Sequence, residues 1–171
     1  MDGCGGSCGS CEAGTSCSAE GVCLDPCAVV GGTVTQFGCE FVSVDLDAYP
    51  DPYSDPSPNV APSALLIANP GPLDAQVVVT TVMTGVESSQ SILVSSASGA
   101  TVALASGGLD GSGVFGDCFR VSSSAPISVV QINPASPAAY ASDSSLLLPI
   151  ASLGTQYLVA TRPTVPTVSI P

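Results

Sequence analysis

The chain has 171 residues and a formal net charge of −12, from 14 acidic residues and two arginines, with no lysine or histidine. Two cations cannot neutralise a phosphate backbone and an anionic membrane would repel the chain, so nucleic acid and membrane surfaces are excluded as partners. Without histidine there is no Ser-His-Asp or Cys-His catalysis, and no apolar run reaches the roughly 20 residues of a membrane span; we predict a protein that is not an enzyme and has no membrane span.

The first 27 residues carry six of the eight cysteines, at the spacing C-x3-C-x2-C-x5-C-x5-C-x3-C. A segment with so little apolar material folds only when it is crosslinked or metallated. Zinc would call for a second C-x2-C or histidine, and a redox C-x-x-C for a βαβ context. An even count in a small acidic segment favours disulfides and an extracellular compartment. We predict a disulfide knot over residues 1–36 that contains Cys4, Cys8, Cys11, Cys17, Cys23 and Cys27.

The other two cysteines, Cys39 and Cys118, lie far apart in the second region of the chain. The simplest pairing joins them to each other, which would staple an early strand to a late one. The alternative is that Cys118 is a small buried thiol.

After Cys27 the chain consists of short β-branched runs separated by turn residues, without a 3.6-residue period, and 15 prolines argue against long helices. This pattern predicts an all-β protein, with an antiparallel β-sandwich of about nine or ten short strands over residues 37–171. The predicted strands span residues 40–47, 63–69, 75–84, 91–95, 100–105, 117–124, 126–133, 144–149 and 155–161, with VPTVSI near the end as a tenth.

Residues 48–63 form a proline-rich segment, which predicts an extended surface loop. Tyr49 and Tyr53 on this loop are either binding anchors or lids packed over the end of the sandwich.

Carboxylates cluster around the same loop, and calcium is the cation that would use them, because it takes six to eight oxygen ligands. The candidate calcium ligands are Asp45, Asp47, Asp51 and Asp55, with Asp110 in a Gly-rich turn. The alternative is an acidic, hydrated surface. No other cofactor is expected.

Several motifs resemble the IgGFc-binding protein N-terminal domain family: GCEFVSVDLD, ALLIANPGPLDAQVVVT, APISVVQINP and, most specifically, YASDSSLLLPIASLGTQYLVAT. In bacterial members a cysteine-rich segment commonly precedes the first motif, as it does here. Val42-Ser43 stands where the family has a second aromatic residue, and the family domain usually runs beyond 171 residues, so the chain resembles its front part. Fc binding is not implied by this resemblance.

These observations predict a secreted or cell-surface adhesion or interaction module that binds a protein or glycan ligand. The alternative is a structural subunit or spacer of an extracellular assembly, with neighbouring subunits paired through terminal strands. A hydrolase is the third hypothesis, with Asp45 and Asp47 as its carboxylate pair.

Overall fold

The computed structural model describes residues 11, 15–17, 21–30, 35–45, 63–104, 113–133, 135 and 143–158. The all-β antiparallel prediction is confirmed, since nine strands and one short α-helix make up most of this part of the chain. The elements are β1 (Ser16–Cys17), β2 (Cys23–Leu24), α1 (Pro26–Val30), β3 (Gly38–Ser43), β4 (Ala64–Asn69), β5 (Ala75–Met83), β6 (Val86–Val94), β7 (Ser98–Ala103), β8 (Cys118–Asn133), β9 (Asp143–Leu147) and a 3-10 helix (Ile150–Ser152).

Strand β8 organises the main sheet because its 16 residues pair with two different sets of strands. Its first half lies between β5 and β3, and its second half lies between β4 and β9. Strand β6 extends the first half beyond β5, and β7 extends the second half beyond β4. The seven-stranded sheet therefore curls at β8 into a half-barrel with two four-stranded halves.

The core lies on the inner side of this curl and is shared by both halves of the sheet. Alternate residues of each strand point into it, as the two-residue period of a strand requires. Phe41 and Phe119 are its largest side chains and are fully buried. The rest of the cluster is aliphatic, with members that include Leu65, Ile67, Val77, Val79, Val121, Ile127 and Val129.

Two predicted strands, over residues 117–124 and 126–133, form the single strand β8. Pro126, the first residue of the second predicted strand, falls where β8 exchanges its partners, between the pairing of Ser123 with β5 and of Ser128 with β4. Proline has no backbone N–H to donate to a neighbouring strand, and it is tolerated at a point where no such hydrogen bond is required. Beside Pro126, Ser123 Oγ donates a hydrogen bond of 2.7 Å to the carbonyl of Ala125.

Other strand predictions differ at their ends. The strand expected over residues 40–47 ends at Ser43, and residues 155–158 of the predicted strand 155–161 are not in a strand. Tyr157 and Leu158 are exposed there, and no described strand pairs with them. Strand propensity alone does not form a strand without a partner. Residues 159–161 and the VPTVSI segment lie outside the described residues.

Disulfides hold the N-terminal region, as predicted, with Cys11 bonded to Cys23 and Cys27 bonded to Cys39. Cys17 is also disulfide-bonded. The predicted Cys39–Cys118 bridge is wrong, because Cys118 is a free thiol. The strand register explains why.

Ser43 lies opposite Phe119, so Cys118 lies past the C-terminal end of β3, whereas Cys39 is near its N-terminal end. About five residues of strand, roughly 16 Å, separate the two cysteines, and a disulfide needs Cα atoms within about 7 Å. The Cys27–Cys39 bridge instead joins residues on the two sides of the predicted domain boundary at residue 36, and α1 packs against β8.

Candidate functional site

Most of the predicted ligand-binding residues lie outside the described part of the chain. These are Tyr49, Tyr53, Asp47, Asp51, Asp55 and Asp110, together with Cys4 and Cys8 of the cysteine cluster. Asp45 is described, and it is buried with 6% of its surface exposed. Asp45 and Ser63 are the described residues nearest in sequence to the two ends of the segment that carries both tyrosines.

Asp45 is held by a hydrogen bond with Ser63, which lies just before β4. Ser63 Oγ donates to Asp45 Oδ1 over 2.5 Å, and it also lies 3.1 Å from the side-chain amide of Asn133 at the end of β8. The 3.1 Å contact is with Asn133 Oδ1, an acceptor, so the single hydroxyl proton of Ser63 serves the nearer acceptor, Asp45 Oδ1. The backbone carbonyl of Ser63 accepts a further bond of 2.8 Å from the N–H of Leu104, just after β7.

A second pair of buried polar side chains lies beside this one. Ser43 Oγ donates to Gln131 Oε1 over 2.6 Å, and Gln131 Nε2 donates to the carbonyl of Val44 over 2.6 Å. These hydrogen bonds connect the ends of β3, β7 and β8 with the start of β4 at one end of the half-barrel. Among the described residues, no buried side-chain polar atom lacks a partner. Buried polar groups satisfied in this way fix one arrangement of the strands.

The structure does not test the calcium prediction, because four of its five ligands lie outside the described residues. Within the described ranges, no group of three or more histidine, cysteine or acidic side chains is placed to hold a metal ion. Asp45 is the one described member of the predicted calcium site, and its Oδ1 accepts a hydrogen bond from Ser63 Oγ. Calcium at Asp45, Asp47, Asp51, Asp55 and Asp110 stays a prediction.

An open groove of about 340 Å³, which the sequence analysis did not predict, lies over the Cys27–Cys39 disulfide. Asp25 and Glu40 contribute carboxylates to its lining, and Ser122, Ser123 and Pro149 are also among its lining residues. Asp25 Oδ1 accepts a hydrogen bond of 2.8 Å from the N–H of Cys27 at the start of α1. Both carboxylates are exposed, so the groove is an acidic, solvated surface above the disulfide.

The outer face of the second half of the sheet is uncharged throughout its described rows. The central row is Thr101, Leu66, Val130 and Leu146, because directly opposed residues of neighbouring strands share a face. Leu66 is 39% exposed and Leu146 is 48% exposed. The two flanking rows are Ala103, Ala64, Ile132 and Ser144 on one side, where Ala64 is itself buried, and Gly99, Ala68 and Ser128 on the other. We call these eleven residues the uncharged face.

The first half of the sheet has an outer face of opposite character. Its rows include Ser91, Val78, Ser122 and Glu40, followed by Ser89, Thr80, Arg120 and Val42. Thr80 and Ser89 share a hydrogen bond of 2.9 Å across the β5–β6 pair. This face carries hydroxyl groups and both signs of charge, as a hydrated surface does.

The uncharged face was missed by sequence reasoning, although the sequence contains a signal for it. The runs ALLIA in β4, VVQI in β8 and LL at the end of β9 place apolar residues on both faces of their strands. Half-buried strands alternate between apolar and polar residues, whereas such runs indicate that both faces are to be covered.

In the ranges that the structure describes, no helix is long and apolar enough to cross a membrane. No family model matches the chain, and no curated protein is similar to it at a significant level. A solved structure described as the crystal structure of Thermotoga maritima 1070 is similar with a TM-score of 0.42 and 13% identity, over 64% of this chain and 91% of that one. A likeness at this level carries neither fold nor function from one protein to the other.

Proposed function

We propose that this protein is a secreted or cell-surface interaction module, which binds a ligand on another surface and does not catalyse a reaction. The observation that supports the proposal best is the uncharged face. The chain has 14 acidic residues, yet none of them lies in the described rows of this face. The face instead exposes the side chains of Leu66 and Leu146. Contiguous exposed apolar surface marks interaction sites in soluble proteins.

The disulfides support the extracellular part of the proposal. Cys11–Cys23 and Cys27–Cys39 are crosslinks that persist in oxidising compartments and are rare in the cytosol. Membership of the IgGFc-binding protein N-terminal domain family belongs to the same proposal, because the bacterial proteins that the motifs resemble are secreted. The ligand is a protein or a glycan, and the apolar character of the face favours a protein.

The test is the binding of the purified, oxidised protein to immobilised mucin, which offers both protein and glycan, and to a glycan array. The double variant Leu66→Thr and Leu146→Thr makes the face polar while keeping good strand formers. We expect it to bind mucin at least about tenfold more weakly, since each lost apolar contact contributes on the order of 1 kcal/mol.

The matched control is Val42→Thr, which changes a residue of similar exposure, 42%, on the outer face of the other half of the sheet. This variant should bind as the unmodified protein does. If the unmodified protein binds neither mucin nor any glycan, or if the face variant and the control bind equally, the proposed adhesive role of this face is wrong.

A structural subunit of an extracellular assembly is the second candidate function. It is favoured by a separate observation, the outer edge of β6, with which no described strand pairs.

A further inference from the structure

We propose that two copies of this protein pair through the outer edges of their β6 strands, antiparallel and about a two-fold axis, so that the sheets join into one. This inference goes beyond the proposed ligand-binding function and uses a different surface. It rests on the geometry of the β5–β6 hairpin, on the charge of its edge and on the pattern of residues along it.

The hairpin shows which backbone groups of β6 are directed outward. Thr84 and Gly85 form its two-residue turn with positive φ at both positions, 50° and 78°, as a type I′ turn requires. In such a turn the residues on either side, Met83 and Val86, are hydrogen-bonded to each other. Hydrogen-bonded positions then recur at every second residue, so the backbone groups directed away from β5 are those of Glu87, Ser89, Ser91 and Leu93.

No described strand pairs with these outward groups, since β6 stands at the end of the strand order. Natural edge strands are usually protected by proline, lysine, a bulge or short length. Strand β6 has nine residues, contains neither proline nor lysine, and pairs with β5 in an unbroken register. Strand β7, at the other end of the order, has only six residues, and β3 is covered by contacts with the 3-10 helix and β9.

Charge favours a second copy at this edge over most other routes of self-association. Two chains with a net charge of −12 repel each other, so they can meet only where carboxylates are few or neutralised. Glu87 is the single acidic residue of β6, and it forms an ion pair of 2.5 Å with Arg120. The remaining residues of the strand are uncharged.

The sequence of β6 is also self-complementary in the antiparallel register centred on Gln90. In this register the whole strand overlaps its copy, and all four outward residues are matched with outward residues. Ser89 lies opposite Ser91 of the second copy, and Glu87 lies opposite Leu93 of the second copy. The two Glu87 carboxylates are then separated by the length of about six residues, roughly 20 Å.

Sedimentation velocity of the full oxidised chain, at about 0.15 M salt and up to about 1 mM protein, tests the pairing. Joining two strand edges buries less area than a standard interface, so we expect a weak dimer with a Kd on the order of 100 μM. A protein that stays monomeric over the whole range overturns the proposal.

Four variants test the surface and the register. Ser89→Pro removes an outward N–H that β5 does not use, whereas Ser89→Thr keeps it; we expect the proline variant to be monomeric and the threonine variant to dimerise as the unmodified protein does. Circular dichroism of the proline variant establishes that it retains its strands. If that variant fails to fold, the two double variants of Ser89 and Ser91 still test the contact.

In the register centred on Gln90, Ser89→Glu with Ser91→Glu places carboxylates directly opposite each other in two pairs. Ser89→Lys with Ser91→Glu places opposite charges in both pairs instead. We expect the first double variant to raise the Kd at least about tenfold and the second to restore or lower it. If both variants dimerise with the same Kd, or if Leu66→Thr with Leu146→Thr abolishes the dimer, the contact is not the β6 edge and the proposal fails.

Discussion

Gly38 at the start of β3 lies directly against Pro149, which precedes the 3-10 helix. A Cβ atom on Gly38 would fall 2.3 Å from Pro149 Cβ and 2.9 Å from its Cγ. Pro149 is fully buried, so it has no free space into which to withdraw. This contact holds Pro149 and the 3-10 helix that follows it against the edge of β3, next to the disulfide at Cys39.

The first prediction is that Gly38→Ala destabilises the protein by about 1–3 kcal/mol, because the added methyl group overpacks the contact with Pro149. Urea unfolding with the disulfides intact measures this change. Gly116→Ala is the matched control, since a Cβ there meets nothing within 4 Å. Equal stability of the two variants would show that Gly38 and Pro149 are not in contact.

The second prediction concerns the buried network at the end of the half-barrel. Ser63→Ala removes the proton donor of Asp45 and leaves a carboxylate oxygen buried without it, so we expect a loss of about 1–3 kcal/mol. Ser98→Ala, which changes an exposed hydroxyl on β7, should alter the stability by less than about 0.5 kcal/mol. The same urea titration compares the two variants, and a Ser63→Ala protein as stable as its control would contradict the network.

The third prediction concerns the Cys27–Cys39 disulfide. Its loss in the double variant Cys27→Ser and Cys39→Ser releases a loop with a sequence separation of 12 residues. The chain-entropy account gives a cost of about 3 kcal/mol for a loop of this length. Cys118→Ser removes a free thiol and should cost less than about 1 kcal/mol by thermal or urea unfolding. A larger loss for Cys118→Ser than for the double variant would reverse the assignment.

The fourth prediction concerns the Arg120–Glu87 ion pair. Both side chains are about half exposed, 51% and 56%, so solvent screens the pair. Arg120→Gln should therefore lower the stability by less than about 1 kcal/mol, and the difference should shrink as salt is added. A loss that is larger and independent of salt would mean that Arg120 stabilises the fold by another route.

The sequence was sufficient to predict the strands whose partners impose alternation. Strand β5 is an example, because Ala75, Val77 and Val79 are buried and Gln76 between them is exposed. That residues 118–133 form one continuous strand, β8, could not be predicted from alternation. Whether Pro126 ends a strand or sits within one depends on which strands lie on either side of it, and that is decided by the whole sheet.

The disulfide partner of Cys39 could not be predicted for a similar reason. Cysteine count and spacing predict that disulfides form, but the choice between Cys27 and Cys118 depends on the register of β3 against β8. The uncharged face has the same origin: Leu66 and Leu146 lie far apart in the chain, and they meet on one surface only because both strands pair with opposite sides of Val130.

The disulfide arrangement ties the N-terminal region to the sheet and supports the proposal of an extracellular location. The most direct measurement is peptide mapping by mass spectrometry of the unreduced protein after alkylation. The structure predicts linked peptides for Cys11 with Cys23 and for Cys27 with Cys39, and an alkyl group on Cys118. A linked peptide that joins Cys39 to Cys118, or alkylation of both Cys27 and Cys39 in the native protein, would contradict it.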